Sequence, residues 1–224
     1  MTPAELTGRV RSHVVDVAEF DCGLHRAVVG PFSAMRHAAL AAGIDLVPVS
    51  AFRDFERQLA IWNGKYTGRR PTAGADGTPV DITRLAPAER VEAILCWSAL
   101  PGASRHHWGT DLDLYDRGAV AGDVGVRLEP AEYAAGGPFE RASAWLERHA
   151  ARFGFFRPYR GRRSGVQAEP WHYSFAPVAD RAVRTLDVQT LRDALASAPL
   201  EGKDVVLDAI HRIHARYVAS IDTF

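Results

Sequence analysis

The sequence predicts an α+β fold, a small and mainly antiparallel sheet with helices packed on one side. Three observations carry this. Thr110-Asp111-Leu112-Asp113-Leu114 alternates polar and apolar residues, as a half-buried strand does. His172-Tyr173-Ser174-Phe175 is a second alternating run. Around them, apolar residues recur at helical spacing, with capping residues at the ends.

Residues 1–30 show weak periodicity, and Val10, Val14, Val15 and Val17 permit a short helix or strand. Pro31 to Ala42 reads as a helix: Pro31 suits its first turn, Phe32, Met35, Ala39 and Ala42 form a face, and Gly43 suits the exit. Ile44 to Phe52 reads as a strand. Asp54 is then a natural N-cap for a helix carrying Phe55, Leu59 and Trp62 on one stripe, closed by Gly64. Lys65 to Ala86 is rich in Gly, Thr, Pro and Arg and reads as a long surface loop. Pro87 opens a helix to about Ala99, with Val91, Leu95 and Ser98 in line, and Pro101-Gly102 ends it. Asp116 to Gly137 has turn signals and leaves the end of the first alternating strand, where it would border a cleft. Pro138 to Phe153 has the clearest helical stripe, from Phe139 through Ala142, Leu146 and His149, with Gly154 after it. Beyond Phe175 come two further stripes, Val188-Leu191-Leu195 and Val206-Ile210-Ile213-Tyr217. The expected division is an N-terminal segment 1–30, a central domain 31–176 and a helical extension 177–224 packed on that domain.

The 224 residues suffice for a sizeable core, and the 27 basic and 27 acidic side chains balance. No global field favours nucleic acid or an anionic membrane, so neither is an expected partner. No apolar run is long enough to span a bilayer. The first residues lack the basic-then-apolar layout of a secretion signal. As written, the chain is expected in the cytoplasm, or in the periplasm if a leader has been removed. Cys22 and Cys96 allow one disulfide but not a disulfide framework, and Cys96, in an apolar helical pattern, reads as a buried reduced thiol. Oligomeric state is left open.

The chemistry gathers in Ser104 to Asp116. Alternation puts Asp111 and Asp113 on one face of the strand and Leu112 and Leu114 on the other, in the core. His106 lies just before the strand, where Gly109 allows an unusual turn. A histidine and an aspartate brought together in this way can bind a zinc ion. If the two alternating strands pair, His172 becomes the third ligand. Three protein ligands leave one tetrahedral position for water, and Glu169 supplies a free carboxylate nearby.

Ser104-Arg-His106-His-Trp-Gly109-Thr-Asp111-Leu-Asp113 resembles the Ser-x-His-x-x-Gly-x-Ala-x-Asp motif of VanY-type D-alanyl-D-alanine carboxypeptidases. Glu169-Pro-Trp171-His172 resembles their Glu-x-Trp-His motif. These enzymes belong to the LAS metallopeptidases, a group that includes the hedgehog domain, and the resemblance spans about Val47 to Phe175. It implies Zn2+ held by His106, Asp113 and His172, with Glu169 as general base. Ser50-Ala-Phe-Arg53 through Gln58 is similar to the family's Ser-x-x-Arg…Gln element. That implies Arg53 and Gln58 on the substrate, Arg53 holding the terminal carboxylate or the developing oxyanion. Ser104 is expected as a supporting hydrogen-bonding residue on the substrate side, and Trp171 as a packing residue. The implied substrate is a muropeptide or peptidoglycan stem peptide that loses its C-terminal D-alanine by D,D- or L,D-carboxypeptidase action.

One position departs from the motif: Asp111 stands where the family has alanine. It is expected to orient a ligand or pair with an arginine, not to bind the metal. His107 is the competing ligand, but adjacent side chains on extended backbone point apart. His149 is read as a core-edge residue, and His211 and His214 as surface residues. Phe155 to Ala168, with Arg157, Arg160, Arg162 and Arg163, is read either as a cleft wall facing an anionic substrate or as a solvated loop. Three alternatives stand beside the carboxypeptidase: a zinc-bearing binding module of hedgehog type, a structural zinc site closed by Asp111 or His107, and a peptidoglycan endopeptidase.

Overall fold

The computed structural model describes residues 1–120, 125–161 and 165–222. Its strands in chain order are β1 Val14–Val17, β2 Cys22–His25, β3 Leu46–Ser50, β4 Thr72–Ala73, β5 Pro79–Val80, β6 Asp111–Asp116, β7 Phe155–Phe156 and β8 His172–Phe175. Four of them form the central antiparallel sheet in the order β3-β6-β8-β7, and β1-β2 and β4-β5 are separate two-stranded hairpins. The expected pairing of the two alternating runs is present: Asp113 lies opposite His172, Leu112 opposite Tyr173 and Asp111 opposite Ser174. Register decides everything at this point, because a slip of one residue would turn the acids into the core.

One face of the sheet is apolar. Leu46, Leu112, Leu114, Tyr173 and Phe175 pack there against Phe32, Met35 and Ala39 of the helix Val29–Ala41 and Trp145 and Leu146 of the helix Glu140–His149. Leu112 and Leu114 are fully buried, worth about 1.5–3 kcal/mol each in removed apolar surface. The opposite face carries Asp111, Asp113 and His172. It opens toward a second core, in which Phe55, Leu59 and Trp62 meet Ile94, Leu95, Trp108 and the C-terminal Leu191, Leu195, Ile210 and Ile213. The extension beyond Phe175 thus packs directly around the ligand turn.

The caps fall where the sequence puts them. Asp54 accepts from the Arg57 amide at 2.7 Å and starts the helix Phe55–Tyr66. Pro87 opens the helix Pro87–Leu95, which stops four residues short of the expected Ala99. The helix Glu140–His149 passes into a 3-10 turn, Ala150–Phe153, ahead of Gly154. Lys65 to Ala86 is more ordered than a loop: the first helix reaches Tyr66, and the rest holds the β4-β5 hairpin and a 3-10 turn, Ile82–Arg84.

The N-terminal residues hold the ligand turn from behind. The Trp108 indole N–H donates to the Leu6 carbonyl at 3.1 Å, and His13 Nε2 bonds the His107 carbonyl at 3.0 Å. The His25 amide donates to the Gly109 carbonyl at 2.8 Å. Gly109 has φ +65°, and a Cβ there would lie 2.7 Å from that same His25 nitrogen. Gly136, at φ +83°, has nothing within 4 Å of such a Cβ. Gly109→Ala is therefore expected to lower the melting temperature well beyond Gly136→Ala. The control carries only the left-handed backbone cost of about 1–2 kcal/mol, whereas Gly109→Ala also forces a backbone contact apart. Equal shifts in thermal denaturation would refute this.

Candidate active site

His106 sits in a 3-10 turn, Arg105–Trp108, that ends on Gly109 and hands the chain to β6. His172 begins β8, across from Asp113. One ligand atom from each of His106, Asp113 and His172 lies within 4.8 Å of the others, and all three residues are buried. His106 Nε2 is 3.3 Å from Asp113 Oδ2, and His172 Nδ1 is 3.3 Å from Asp113 Oδ1. Glu169 Oε2 stands 3.1 Å from His172 Nδ1.

The outer nitrogens fix both imidazoles. His106 Nδ1 donates to the Ala51 carbonyl at 2.8 Å, leaving the Nε2 lone pair facing Asp113. His172 Nε2 donates to Asp111 Oδ1 at 2.9 Å, leaving Nδ1 facing Asp113 and Glu169. The two rings thus present opposite nitrogens to one point. Asp113 Oδ1 is buried and has no hydrogen-bond donor. Burial opposes protonation of His172, but Asp111, Asp113 and Glu169 outweigh burial and hold its pKa well above the usual histidine range. Two imidazole nitrogens aimed at one point and a carboxylate oxygen with no hydrogen-bond donor form the donor set that suits zinc, so the residues present fit that ion.

Asp111 fulfils both expectations stated for it. Besides orienting His172, its Oδ1 accepts from Arg105 Nε at 2.8 Å, and its Oδ2 from the Thr110 hydroxyl at 2.6 Å. The Arg105 guanidinium also lies over the Trp108 ring, 4.8 Å from its centroid. Burial penalises the Asp111 charge, but Arg105 and His172 outweigh it and hold the carboxyl below the usual range. His107 points away from the cluster. Its Nδ1 donates to the Arg53 carbonyl at 2.6 Å, and its Nε2 accepts from the Gly102 amide at 3.1 Å. Burial pulls its pKa down to about 3, so it stays neutral. With Asp111 and His107 both engaged, neither closes a fourth position.

The cluster lies in a cleft of about 640 Å³, lined among others by Arg53, Lys65, Trp97, Ser104, Tyr159, Glu169 and Trp171. The β4-β5 hairpin forms one wall, and residues 127–130 form part of another, as expected for a segment leaving the end of β6. Arg53 Nη1 donates to Gln58 Oε1 at 2.7 Å and Nη2 to Ser50 Oγ at 2.9 Å. Gln58, expected on the substrate, is fully buried, and its amide nitrogen donates to the Ala99 carbonyl at 2.7 Å. Both ends of its side chain are occupied, one of them by Arg53. Ser104 is buried and lines the cleft. Trp171 packs with Tyr133 and Phe139.

The basic segment after Phe155 divides. Tyr159 faces the cleft, its ring edge-on to His172 at 5.0 Å. Arg157 and Arg160 turn away and pair with Glu147, so they do not form a wall for an anionic substrate. Arg162 and Arg163 lie outside the described residues. His149 lies tilted against Trp145 with ring centroids 4.8 Å apart, His211 is exposed, and His214 bonds the Leu186 carbonyl. Cys22 and Cys96 are both free. Lys65, Arg70 and Trp97 line the cleft without a motif to mark them. For Lys65 the one signal in the sequence is its place about three helical turns after Arg53, in the last turn of the helix Phe55–Tyr66.

The family model of the VanY D-alanyl-D-alanine carboxypeptidases matches residues 21–178. The match spans more than half of the chain, and the chain belongs to this family. An uncharacterized protein of Haemophilus influenzae is 32% identical over 121 residues, covering 53% of this chain and 92% of that one. A D-alanyl-D-alanine carboxypeptidase of Enterococcus faecalis is 27% identical over 144 residues, covering 63% of this chain and 44% of that protein. Among solved structures, VanYB in complex with D-alanine-D-alanine superposes with a TM-score of 0.56 at 20% identity, covering 84% of this chain and 91% of that one. The LdcB LD-carboxypeptidase gives 0.53 at 19% identity, covering 87% and 77%. A VanY D,D-pentapeptidase mutant in complex with Zn(II) gives 0.54 at 19% identity, covering 86% and 88%. These likenesses establish the α+β fold. Among the described residues, no helix is long and apolar enough to cross a membrane.

Proposed function

We propose that the chain is a zinc-dependent carboxypeptidase that removes the C-terminal D-alanine from peptidoglycan stem peptides. The observation that carries this reading is the convergence of His106 Nε2, His172 Nδ1 and Asp113 in a cleft where Glu169 stands beside them. These three side chains would hold the ion. When bound, zinc supplies a Lewis acid that polarises the peptide carbonyl and acidifies a water molecule. Glu169 accepts the water's proton on a carboxylate oxygen and passes it to the leaving amine. Arg53, braced by Gln58 and Ser50, binds the substrate's terminal carboxylate through its guanidinium. Tyr159 and Trp171 supply apolar surface to the cleft around His172, which limits water around the reacting bond.

The zinc-loaded protein, incubated with muropeptide tetrapeptides and pentapeptides and read by mass spectrometry, is expected to lose a single D-alanine. The substrate consumed distinguishes D,D from L,D action. Dipicolinate should abolish the activity and zinc should restore it. Intact peptides after incubation with a protein that holds one zinc would overturn the enzyme reading in favour of a binding module. Cleavage within cross-linked peptides, independent of a free C-terminus, would make it an endopeptidase.

A further inference from the structure

Among the described residues, two cationic side chains in the cleft hydrogen-bond only to neutral partners. Arg53 is held by Gln58 and Ser50. Lys65 Nζ donates to Ser98 Oγ at 2.7 Å. Both are fastened to the same short segment. Ser98 takes the Lys65 ammonium directly, and Ala99, the next residue, takes Gln58, which in turn takes Arg53. Consecutive residues after the helix Pro87–Leu95 therefore set the spacing between the two charges. Both line the same cleft as Glu169 and the His/Asp/His cluster.

A cation drawn out of water needs an anion or loses part of its charge. Burial lowers the pKa of Lys65, the negative charge of Glu169 raises it, and Arg53 and Arg70 lower it again. Burial likewise lowers that of Arg53, with Asp113 and Glu169 acting the other way. The two carboxylates that these cations sense already have duties: Asp113 faces the metal position, and Glu169 handles the proton. The local surplus is positive and matches a small anion. Arg53 Nη1 and Nη2 each keep an N–H beyond the one given to Gln58 or Ser50, and Lys65 has donors beyond the one given to Ser98, so the pair still has hydrogen bonds to offer.

We propose that Lys65 and Arg53 form a two-cation clamp for one carboxylate, the free C-terminus of the substrate, with Lys65 as the specificity residue that rejects peptides lacking it. This rests on the carboxypeptidase reading and assigns Lys65 a role in it. Arg53 presents a planar fork and Lys65 a point charge, so together they hold both oxygens of the carboxylate. The Ser98 tether holds the Lys65 chain in place before substrate arrives, which lowers the entropy lost on binding.

The test compares a stem pentapeptide with a free C-terminus and the same peptide as its C-terminal amide. Wild type, Lys65→Met and Lys65→Arg are assayed as zinc-loaded proteins for kcat and KM, and binding of both peptides is followed by calorimetry. Wild type should prefer the acid. Lys65→Met should raise KM for the acid about ten- to a hundredfold, the worth of one charge-assisted hydrogen bond, with kcat changed far less. It should leave the amide unaffected, and Lys65→Arg should recover most of the loss. A loss in Lys65→Met equal for acid and amide would overturn the clamp, as would an unchanged acid preference. If neither peptide is cleaved, the activity reading fails separately. The clamp is then judged on binding alone: acid affinity that falls in Lys65→Met supports it, and equal affinity for acid and amide in wild type sinks it.

Discussion

Glu169→Gln is expected to lower kcat by about two to four orders of magnitude, the usual worth of a positioned general base, while the protein keeps one zinc. Glutamine preserves the shape of the side chain but cannot take a proton from water. The carboxylate lies 3.1 Å from His172 Nδ1, close enough to reach a molecule bound beside that nitrogen. His106, Asp113 and His172 would supply the ligands without it. Zinc stoichiometry by elemental analysis, measured beside kcat, separates two cases. A variant that is inactive and zinc-replete confirms the base. A variant that loses its zinc makes Glu169 a ligand, and one with full activity removes it from the chemistry.

Asp111→Asn should be the most destabilising single change near the site. It removes a buried negative charge that Arg105 and His172 share. Arg105, only 3% exposed, would be left without a carboxylate; breaking one side of a buried pair costs about 3–5 kcal/mol. Denaturant unfolding of the metal-free protein measures this without interference from the ion. The double variant Asp111→Ala with Arg105→Leu should recover much of the loss, because no unpaired charge remains. In the loaded protein, zinc affinity should still fall about ten- to a hundredfold in either form, since His172 has lost the acceptor that orients it. Additive losses in the double variant would show that Asp111 and Arg105 act independently.

The parts of this site that could be read from the chain are those set by local geometry. Strand alternation separates Asp113 from Leu112 within a single stretch of backbone, and Asp54 caps its own helix, so both were visible. Gly109 announced its turn for the same reason. What stayed hidden was set by contacts across the fold. Spacing cannot tell whether Gln58, in the first turns of its helix, faces outward or back toward Arg53. It showed that Asp111 needed a partner, yet not that Arg105, six residues earlier, would curl back to it. The β4-β5 hairpin has two residues per strand, too few for any period to emerge, so its cleft-lining role was invisible. Residues 1–30 had no functional reading because their task is to support His107, Trp108 and Gly109 from about a hundred residues away.

That support has a consequence for how the protein comes into being. Trp108 waits on Leu6, His107 on His13, His106 on Ala51, and Arg105 on Ser174, separations of 102, 94, 55 and 69 residues. Contacts this far apart in sequence raise contact order and slow folding. During synthesis the last metal-binding side chain, His172, emerges after all the others, so the emerging polypeptide has no complete coordination sphere with which to capture a stray ion. The outer nitrogens of His106 and His172 have protein acceptors, Ala51 and Asp111, so both rings are aimed by the chain itself and not by an ion.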